Sequence, residues 1–277
     1  MSEEASHSIG TEFEREPVPQ SHLLGFKSFV GQYAGEHTAG TELTLGPLFV
    51  AAGVSAFDLI TGLLIGNLLA VLSWTLLTTP IATRARLTLY YQLERICGDR
   101  LVLLYNLANG VMFCFLAGAM VTVSATAFGV LFGFRMPELN DLLPNSVGWV
   151  AAVLAVGVVI AWVAANGFTY LARIANWAAP WMVLVFIAFG VVGLKDFMVA
   201  TGSEISGWGD LVNLAQTVIW KGGDALPGQV KFTFWHVLFF AWFCNMAMHI
   251  GMSDLSIFRF AKKSWHGLAT ATGMYLG

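Results

Sequence analysis

Long runs without charge alternate with short polar connections along most of the chain. A helix needs about 20 residues to cross a hydrocarbon layer of roughly 30 Å, and five uncharged windows exceed that length. We therefore predict one transmembrane helix for each window. The windows are Leu59–Thr83, Leu101–Phe134, Leu142–Ala172, Ile174–Leu194 and Phe232–Ser253.

A further span precedes these five, but charge interrupts it. Glu36 and Glu42 leave only Leu43–Phe57 free of charge, which is short for a membrane crossing. Two interpretations fit this pattern. One is a longer helix that is broken within the glycine-containing stretch 35–40, and the other is an interfacial helix at 21–34 followed by a compact span. Both give six spans before the last twenty residues of the chain.

The pattern predicts an all-α polytopic membrane protein. Residues 1–25 carry several glutamates and no apolar core of the signal-peptide kind, so we expect a soluble cytoplasmic tail followed by one transmembrane domain over 26–277. Its predicted spans are about 26–56, 58–80, 101–133, 147–166, 172–194 and 232–253, with a seventh starting near 265.

Composition supports a lipid rather than an aqueous environment. Hydrophobic residues make up 57% of the chain and charged residues only 11%, whereas soluble domains have about 25% charged residues. The net charge is −3, and the basic residues lie at span ends rather than on one face, so we expect no nucleic-acid partner. The lipid bilayer is the expected partner, and the oligomeric state stays open.

The distribution of basic residues predicts the orientation, because cytoplasmic loops hold an excess of Lys and Arg. A cytoplasmic amino terminus places ten of the fourteen basic residues inside. We therefore expect a multi-pass protein of the plasma (inner) membrane. The ten are Arg15, Lys27, Arg84, Arg86, Arg95, Arg100, Arg173, Arg259, Lys262 and Lys263.

Some residues within the spans are candidates for a binding site. Asn109, Phe113 and Ala117 follow one another at four-residue spacing in the third span and so share one helix face. An amide, a ring and a small residue in line can border a pocket for a flat heterocycle. The alternative is a face that packs inside the bundle with one satisfied amide.

The end of the sixth span is unusually polar. Asn245, His249 and Asp254 lie close together there, and such groups are costly in lipid unless the helix opens or meets water. A second broken helix explains this cluster. In the second span, Gly62 and Gly66 are spaced for close approach of a neighbouring helix.

Three stretches carry a likeness to a known family. They are Gly46-Pro-Leu-Phe-Val-Ala-Ala-Gly-Val-Ser-Ala-Phe-Asp with the following Leu64-Ile-Gly-Asn-Leu-Leu, the face from Asn109 to Met120, and Met246-Ala-Met-His-Ile followed by Asp254 and Arg259-Phe-Ala-Lys. Together they cover most of residues 26–277 and resemble the nucleobase:cation symporter-1 transporters, which include cytosine, purine and hydantoin permeases.

The resemblance implies a fold and a function. The fold is two inverted five-helix repeats with helices one and six broken in mid-membrane, and this chain resembles the first half, helices one to six and the start of seven. It is then either a fragment or a natural truncation. The implied function is secondary active uptake of a nucleobase or related heterocycle by alternating access: cytosine, a purine, a hydantoin or a thiamine-precursor pyrimidine. Apart from a coupling cation, Na⁺ or H⁺, no cofactor is expected.

The resemblance also implies roles for individual residues. The family's aromatic ring on helix three falls at Phe113, and the neighbouring polar contact falls at Asn109 or Gly110. On helix six the stacking aromatic falls at Phe243 if an insertion is allowed, or at Asn245 if the alignment is anchored on Asp254 without one. We predict substrate contacts at these positions and at Ala117.

The interrupted first span suggests ion coupling. Glu36, His37, Thr38 and Glu42 supply titratable and hydroxyl groups there, and a buried carboxylate or a histidine can carry a coupled proton. The alternative is that these groups lie in the cytoplasmic interface and contact only water and headgroups.

Other functional classes fit the sequence less well. A membrane-embedded metalloenzyme requires clustered ligands such as His-Glu-x-x-His on one helix, but His37, His236 and His249 are scattered. A channel requires a ring of carbonyls or charges, and no filter-like segment is present. We therefore expect no enzyme activity; a non-transporting membrane fragment is the main alternative, and a channel or an enzyme is a weaker one.

Overall fold

The computed structural model describes residues 13–38, 45–137, 143–245 and 254–276, and these residues form helices and loops without a strand. The α-helices are α1 Lys27–Glu36, α2 Leu45–Ala51, α3 Ala56–Ser73, α4 Thr79–Ala85, α5 Leu89–Cys97, α6 Asp99–Phe132, α7 Val147–Ala165, α8 Phe168–Thr201, α9 Trp208–Leu214, α10 Phe234–Phe239, α11 Asp254–Phe258 and α12 Thr270–Leu276. Wider π-helical turns follow α3, α9 and α10 at Trp74–Thr78, Ala215–Ile219 and Phe240–Cys244. Short 3₁₀ helices cover Gln20–His22 and Ser264–Ala269.

In the described part of the chain, four helical stretches are long and apolar enough to cross a membrane. They are Ala56–Ala85, Asp99–Thr126, Val147–Ala165 and Tyr170–Thr201. These stretches confirm the predicted second to fifth spans. The second and fifth are longer than predicted, because α4 continues the second span to Ala85 and α8 runs on to Thr201.

The predicted first and sixth spans contain shorter helices. α1 ends at Glu36, inside the predicted interruption, and α2 begins at Leu45. In the sixth span, α10 and its π-helical turn form an apolar stretch from Phe234 to Cys244. α11 begins at Asp254.

The chain divides into two compact units, and residues 87–174 form most of the first. α6 packs against both α5 and α7 in this unit. Thr88 caps α5, because its hydroxyl accepts the Tyr91 N–H at 3.2 Å and donates to the Glu14 carbonyl at 2.9 Å. α7 is capped in the same way by Ser146, which accepts the Trp149 N–H at 3.1 Å.

Residues 18–86 and 175–277 form the second unit, in which α3 packs closely against α10. Gly62 and Gly66 are buried at this contact. A β-carbon on Gly66 would lie 2.6 Å from the Leu238 carbonyl oxygen, and one on Gly62 would lie 2.8 Å from Val237. The predicted close approach at these two glycines is therefore confirmed, and the partner is the sixth-span helix.

The π-helical turn between α3 and α4 has a local cause in the sequence. Pro80 is at the start of α4, and a proline inside a helix removes a backbone donor and crowds the preceding turn. The hydroxyl of Thr79 donates to the Trp74 carbonyl five residues back, at 2.9 Å. This bond supplies a partner for a carbonyl in the widened turn, and Trp74 is fully buried there.

An apolar cluster joins the short helix α2 to α3 and α10. Its buried members are Phe49, Ala52, Val54, Leu59 and Val237, and Trp220 and Phe240 pack against it. The loop that follows α9 is fixed to the same place, since the Ala56 N–H donates to the Trp220 carbonyl at 2.8 Å. Lys231 further donates to the carbonyls of Gly53 and Gly223.

Candidate functional site

A cavity of about 580 Å³ lies in the second unit, where the first and sixth predicted spans depart from regular α-helix. Residues that line it come from the end of α1, from α2, α3 and α12, and from the π-helical turn Phe240–Cys244. Ligand pockets in proteins commonly measure about 300–1,000 Å³. The cavity is therefore large enough for a single-ring or double-ring heterocycle.

Two aromatic rings of the cavity wall come from helices that sequence alone does not bring together. Phe49 on α2 and Phe240 at the start of the π-helical turn both line the cavity. Their ring centroids are 5.5 Å apart at an interplanar angle of 86°, an edge-to-face arrangement that aromatic pairs favour. Phe49 is only 3% exposed, so the half-buried Phe240 ring is the one on which the face of a planar ligand can stack.

The amide side chains of the cavity are partly committed to backbone carbonyls. Asn67 on α3 donates through Nδ2 to the Met274 carbonyl at 2.8 Å, and Asn245 donates to the Ala241 carbonyl at 2.5 Å. In each case this leaves the amide oxygen as an acceptor for the N–H groups of a ligand. Both residues line the cavity.

Trp220 contributes a buried donor to the same wall. Its side chain lines the cavity, and its Nε1 is shielded from solvent and has no hydrogen-bond partner among the described residues. The backbone fixes this residue, because the Trp220 N–H donates to the Ala215 carbonyl at 2.8 Å and the Trp220 carbonyl accepts from Ala56. A buried indole N–H without a partner costs free energy, so a ligand with an acceptor at this point gains a hydrogen bond.

The residues predicted for ion coupling lie at or next to the end of α1. His37 lines the cavity, and Glu36 is half-buried one residue before it. Thr38 is buried, and its hydroxyl donates to the Ala34 carbonyl at the last turn of the helix. Glu42 lies outside the described residues, so its predicted role stays a prediction.

Of the two residues predicted on helix six, one lines the cavity. Asn245 does so. Phe243 has an exposed side chain that stacks on Trp242 at 4.7 Å and on Phe239 at 5.4 Å. The ring that lines the cavity from this turn is Phe240, three residues earlier.

The residues predicted on the third span belong to α6, in the first unit. Asn109 and Phe113 are half-buried there, and Ala117 is exposed. Gly110 lies in a groove of about 440 Å³ along α6 that Asn106 also lines. Their predicted contacts with a substrate stay predictions.

Sequence reasoning missed Phe49, Asn67, Trp220 and Phe240. Asn67 carries a detectable signal, since it is an amide within a long apolar span. Trp220 lies between the predicted fifth and sixth spans, and nothing in its spacing indicates a contact with α3. Phe240 is one of several aromatic residues close together in sequence, and its ring lines the cavity because of the geometry of the widened turn Phe240–Cys244.

No protein-family model, curated protein or solved structure matches this chain.

Proposed function

We propose that this protein is a secondary active transporter that takes up a nucleobase or a related planar heterocycle together with a cation. One observation carries the proposal. The end of α1 and the π-helical turn of the sixth span border the same cavity, which presents rings and amides together. Discontinuous helices around a cavity are typical of solute and ion binding in transporters.

The cavity wall suits a flat, polar ring better than an aliphatic or a charged solute. The half-buried Phe240 offers a ring for stacking, and Phe49 packs edge to face behind it. The Trp220 indole offers a donor, and the amide oxygens of Asn67 and Asn245 offer acceptors. Cytosine, purines, hydantoins and aminopyrimidines carry adjacent donors and acceptors on their edges, which match this set.

Cation coupling follows from the position of the polar groups at the end of α1. His37 on the cavity wall and Glu36 beside it lie where the helix stops, and a proton or Na⁺ bound there changes the charge next to a substrate. Movement of α1 and of the sixth span against the rest of the bundle then opens the cavity to one side of the membrane at a time.

Uptake by purified protein in proteoliposomes tests this proposal. The full-length protein, expressed from its complete reading frame, is assayed with tritiated cytosine, adenine, hypoxanthine and hydantoin under an imposed Na⁺ gradient and, separately, a pH gradient. We expect saturable accumulation of at least one base that collapses when the driving gradient is dissipated. Uptake that never exceeds equilibration, or unitary currents in planar bilayers, would refute it.

A further inference from the structure

A carboxylate outside the cavity is withdrawn from solvent and is held by two other parts of the chain. Asp254, the first residue of α11, has no exposed surface. The Tyr33 hydroxyl donates to its Oδ1 at 2.6 Å, and the Trp74 Nε1 donates to its Oδ2 at 2.6 Å. Both donors are themselves fully buried, so α1, the π-helical turn after α3 and α11 meet at a single acidic group.

The packing around this group joins α1 to α11. Phe258 stacks on Tyr33 at 5.4 Å and on Phe29 at 5.3 Å, with interplanar angles of 15° and 28°. Before α1, the Leu24 N–H donates to the Phe260 carbonyl at 2.7 Å. The Asp254 carboxylate is therefore the polar centre of an otherwise apolar contact between α1 and α11.

The neighbouring elements supply few other titratable or charged side chains. α1 carries Tyr33, the half-buried Glu36 and the exposed Lys27, and His37 follows it; α4 carries the exposed Arg84. Arg259 directly follows α11, is buried, and stacks its guanidinium on the Phe260 ring at 4.6 Å. The π-helical turn Trp74–Thr78 carries no titratable group, and His266 is buried against the Phe29 side of α1.

We propose that Asp254 is the proton-binding residue of the transport cycle, an inference that rests on the proposed transport function. In the arrangement seen here each oxygen of the carboxylate accepts a hydrogen bond, which favours the ionised form. Separation of α1 from α11 removes the Tyr33 donor from a carboxylate that is out of water. The group then binds one proton from solution on an Oδ atom, its charge changes from −1 to 0, and the proton is released when the Tyr33 hydroxyl returns.

The physical basis is that hydrogen bonds to a carboxylate favour its charged form, whereas withdrawal from water favours its neutral form. Of the two donors, Tyr33 lies on α1 and supplies the first effect only while α1 is docked, whereas Trp74 lies in the turn after α3. Proton binding and helix separation therefore promote each other by thermodynamic linkage. A low pH on one side of the membrane favours the separated state on that side, which is the requirement for proton-driven uptake.

The test compares exchange with net accumulation in proteoliposomes that contain full-length protein and tritiated cytosine, adenine or hydantoin. We expect Asp254→Asn to keep base-for-base exchange, because the amide oxygen still accepts one hydrogen bond, and to lose accumulation driven by a pH gradient. Asp196→Asn is the control: it removes an exposed carboxylate near the end of α8 and keeps both activities. The inference would be overturned if Asp254→Asn accumulates base as the wild type does. It would also be overturned if Glu36→Gln or Glu42→Gln loses coupling to the pH gradient while Asp254→Asn keeps it.

If Asp254→Asn does not fold, two other variants test whether Asp254 binds the proton. Tyr33→Phe and Trp74→Phe each remove one donor and keep a ring in place. We expect the pH at half-maximal exchange to rise by about one unit in each variant, because the ionised carboxylate loses a hydrogen bond. An unchanged pH profile in both variants would contradict the inference. Wild-type protein that exchanges none of the bases would instead refute the proposed function, and this inference with it.

Discussion

At the scale of single residues, the cavity is defined by groups with unused hydrogen-bonding capacity. Asn67 and Asn245 use their amide N–H groups on backbone carbonyls, whereas the Trp220 indole has no partner among the described residues. Of these three groups, the indole can gain most from a ligand. It should therefore discriminate between heterocycles that do and do not present an acceptor.

Replacing Trp220 by phenylalanine should weaken binding of such heterocycles. Trp220→Phe keeps an aromatic ring in the wall but removes the N–H, and a neutral hydrogen bond contributes about 1 kcal/mol, or roughly fivefold in Kd. Isothermal titration with the preferred base measures the change. Trp208→Phe is the control, because Trp208 is exposed at the far end of the same helical segment and should leave Kd unchanged. An equal loss in both variants would argue against a direct contact.

Local chemistry in the sequence is enough to place some residues beside the cavity. A histidine and an amide next to predicted helix interruptions, His37 and Asn245, line it, and their roles stay predictions. The sequence does not distinguish Phe240 from Phe243, which are chemically equivalent and lie three residues apart. Their directions depend on the widened turn Phe240–Cys244, and no periodicity in the sequence encodes that turn.

At the scale of helices, the contact between α3 and α10 holds the sixth span beside the cavity. Gly62 and Gly66 allow this contact, since each leaves less than 3 Å for a β-carbon. The spacing of the two glycines can be read from the sequence, but the helix that packs against them cannot. A small residue allows another helix to approach closely and does not specify which one. The sequence also predicts that a helix ends near residue 36, because Gly35, the charged Glu36 and Gly40 lie close together there.

Glycine-to-alanine substitutions should show whether close packing or helix propensity determines the stability of these helices. Gly66→Ala is expected to lower the stability of the detergent-solubilised protein by about 1–3 kcal/mol, because overpacking outweighs the propensity gain. Gly118→Ala in α6 is the control: a β-carbon there meets nothing within 4 Å, so stability should stay equal or rise slightly. Thermal unfolding followed by tryptophan fluorescence measures both. A stable Gly66→Ala variant would contradict the close packing described above.

At the scale of the whole molecule, composition and length predict the membrane spans well. Four of the predicted spans reappear as long apolar helices, since the thickness of a hydrocarbon layer directly sets the length of an uncharged run. The first and sixth spans are harder to derive. Their polar groups and short helices reflect a cavity inside the protein. That cavity depends on contacts between segments that are far apart in sequence, such as Asn67 with Met274, 207 residues away.

Orientation in the membrane can be tested with a native cysteine. Cys97 is exposed at the end of α5, on the side that the basic residues predict to be cytoplasmic. In a Cys114→Ser, Cys244→Ser background, a membrane-impermeant maleimide should label Cys97 in inside-out vesicles but not in intact cells. Gly209→Cys, introduced in a Cys97→Ser version of that background, should show the opposite pattern. α9 lies between the predicted fifth and sixth spans, and a cytoplasmic amino terminus places that connection outside. Labelling of Cys97 from outside would reverse the assigned orientation.

The most direct test of the account compares two neighbouring rings of the sixth span. Equilibrium binding of tritiated bases to purified full-length protein is measured for wild type, Phe240→Leu and Phe243→Leu. If the cavity bordered by α1, α3 and the widened turn binds a planar ring, Phe240→Leu weakens binding about tenfold or more, as expected for loss of a stacking contact, and Phe243→Leu binds as the wild type does. Loss of binding in Phe243→Leu with unchanged affinity in Phe240→Leu would contradict the account.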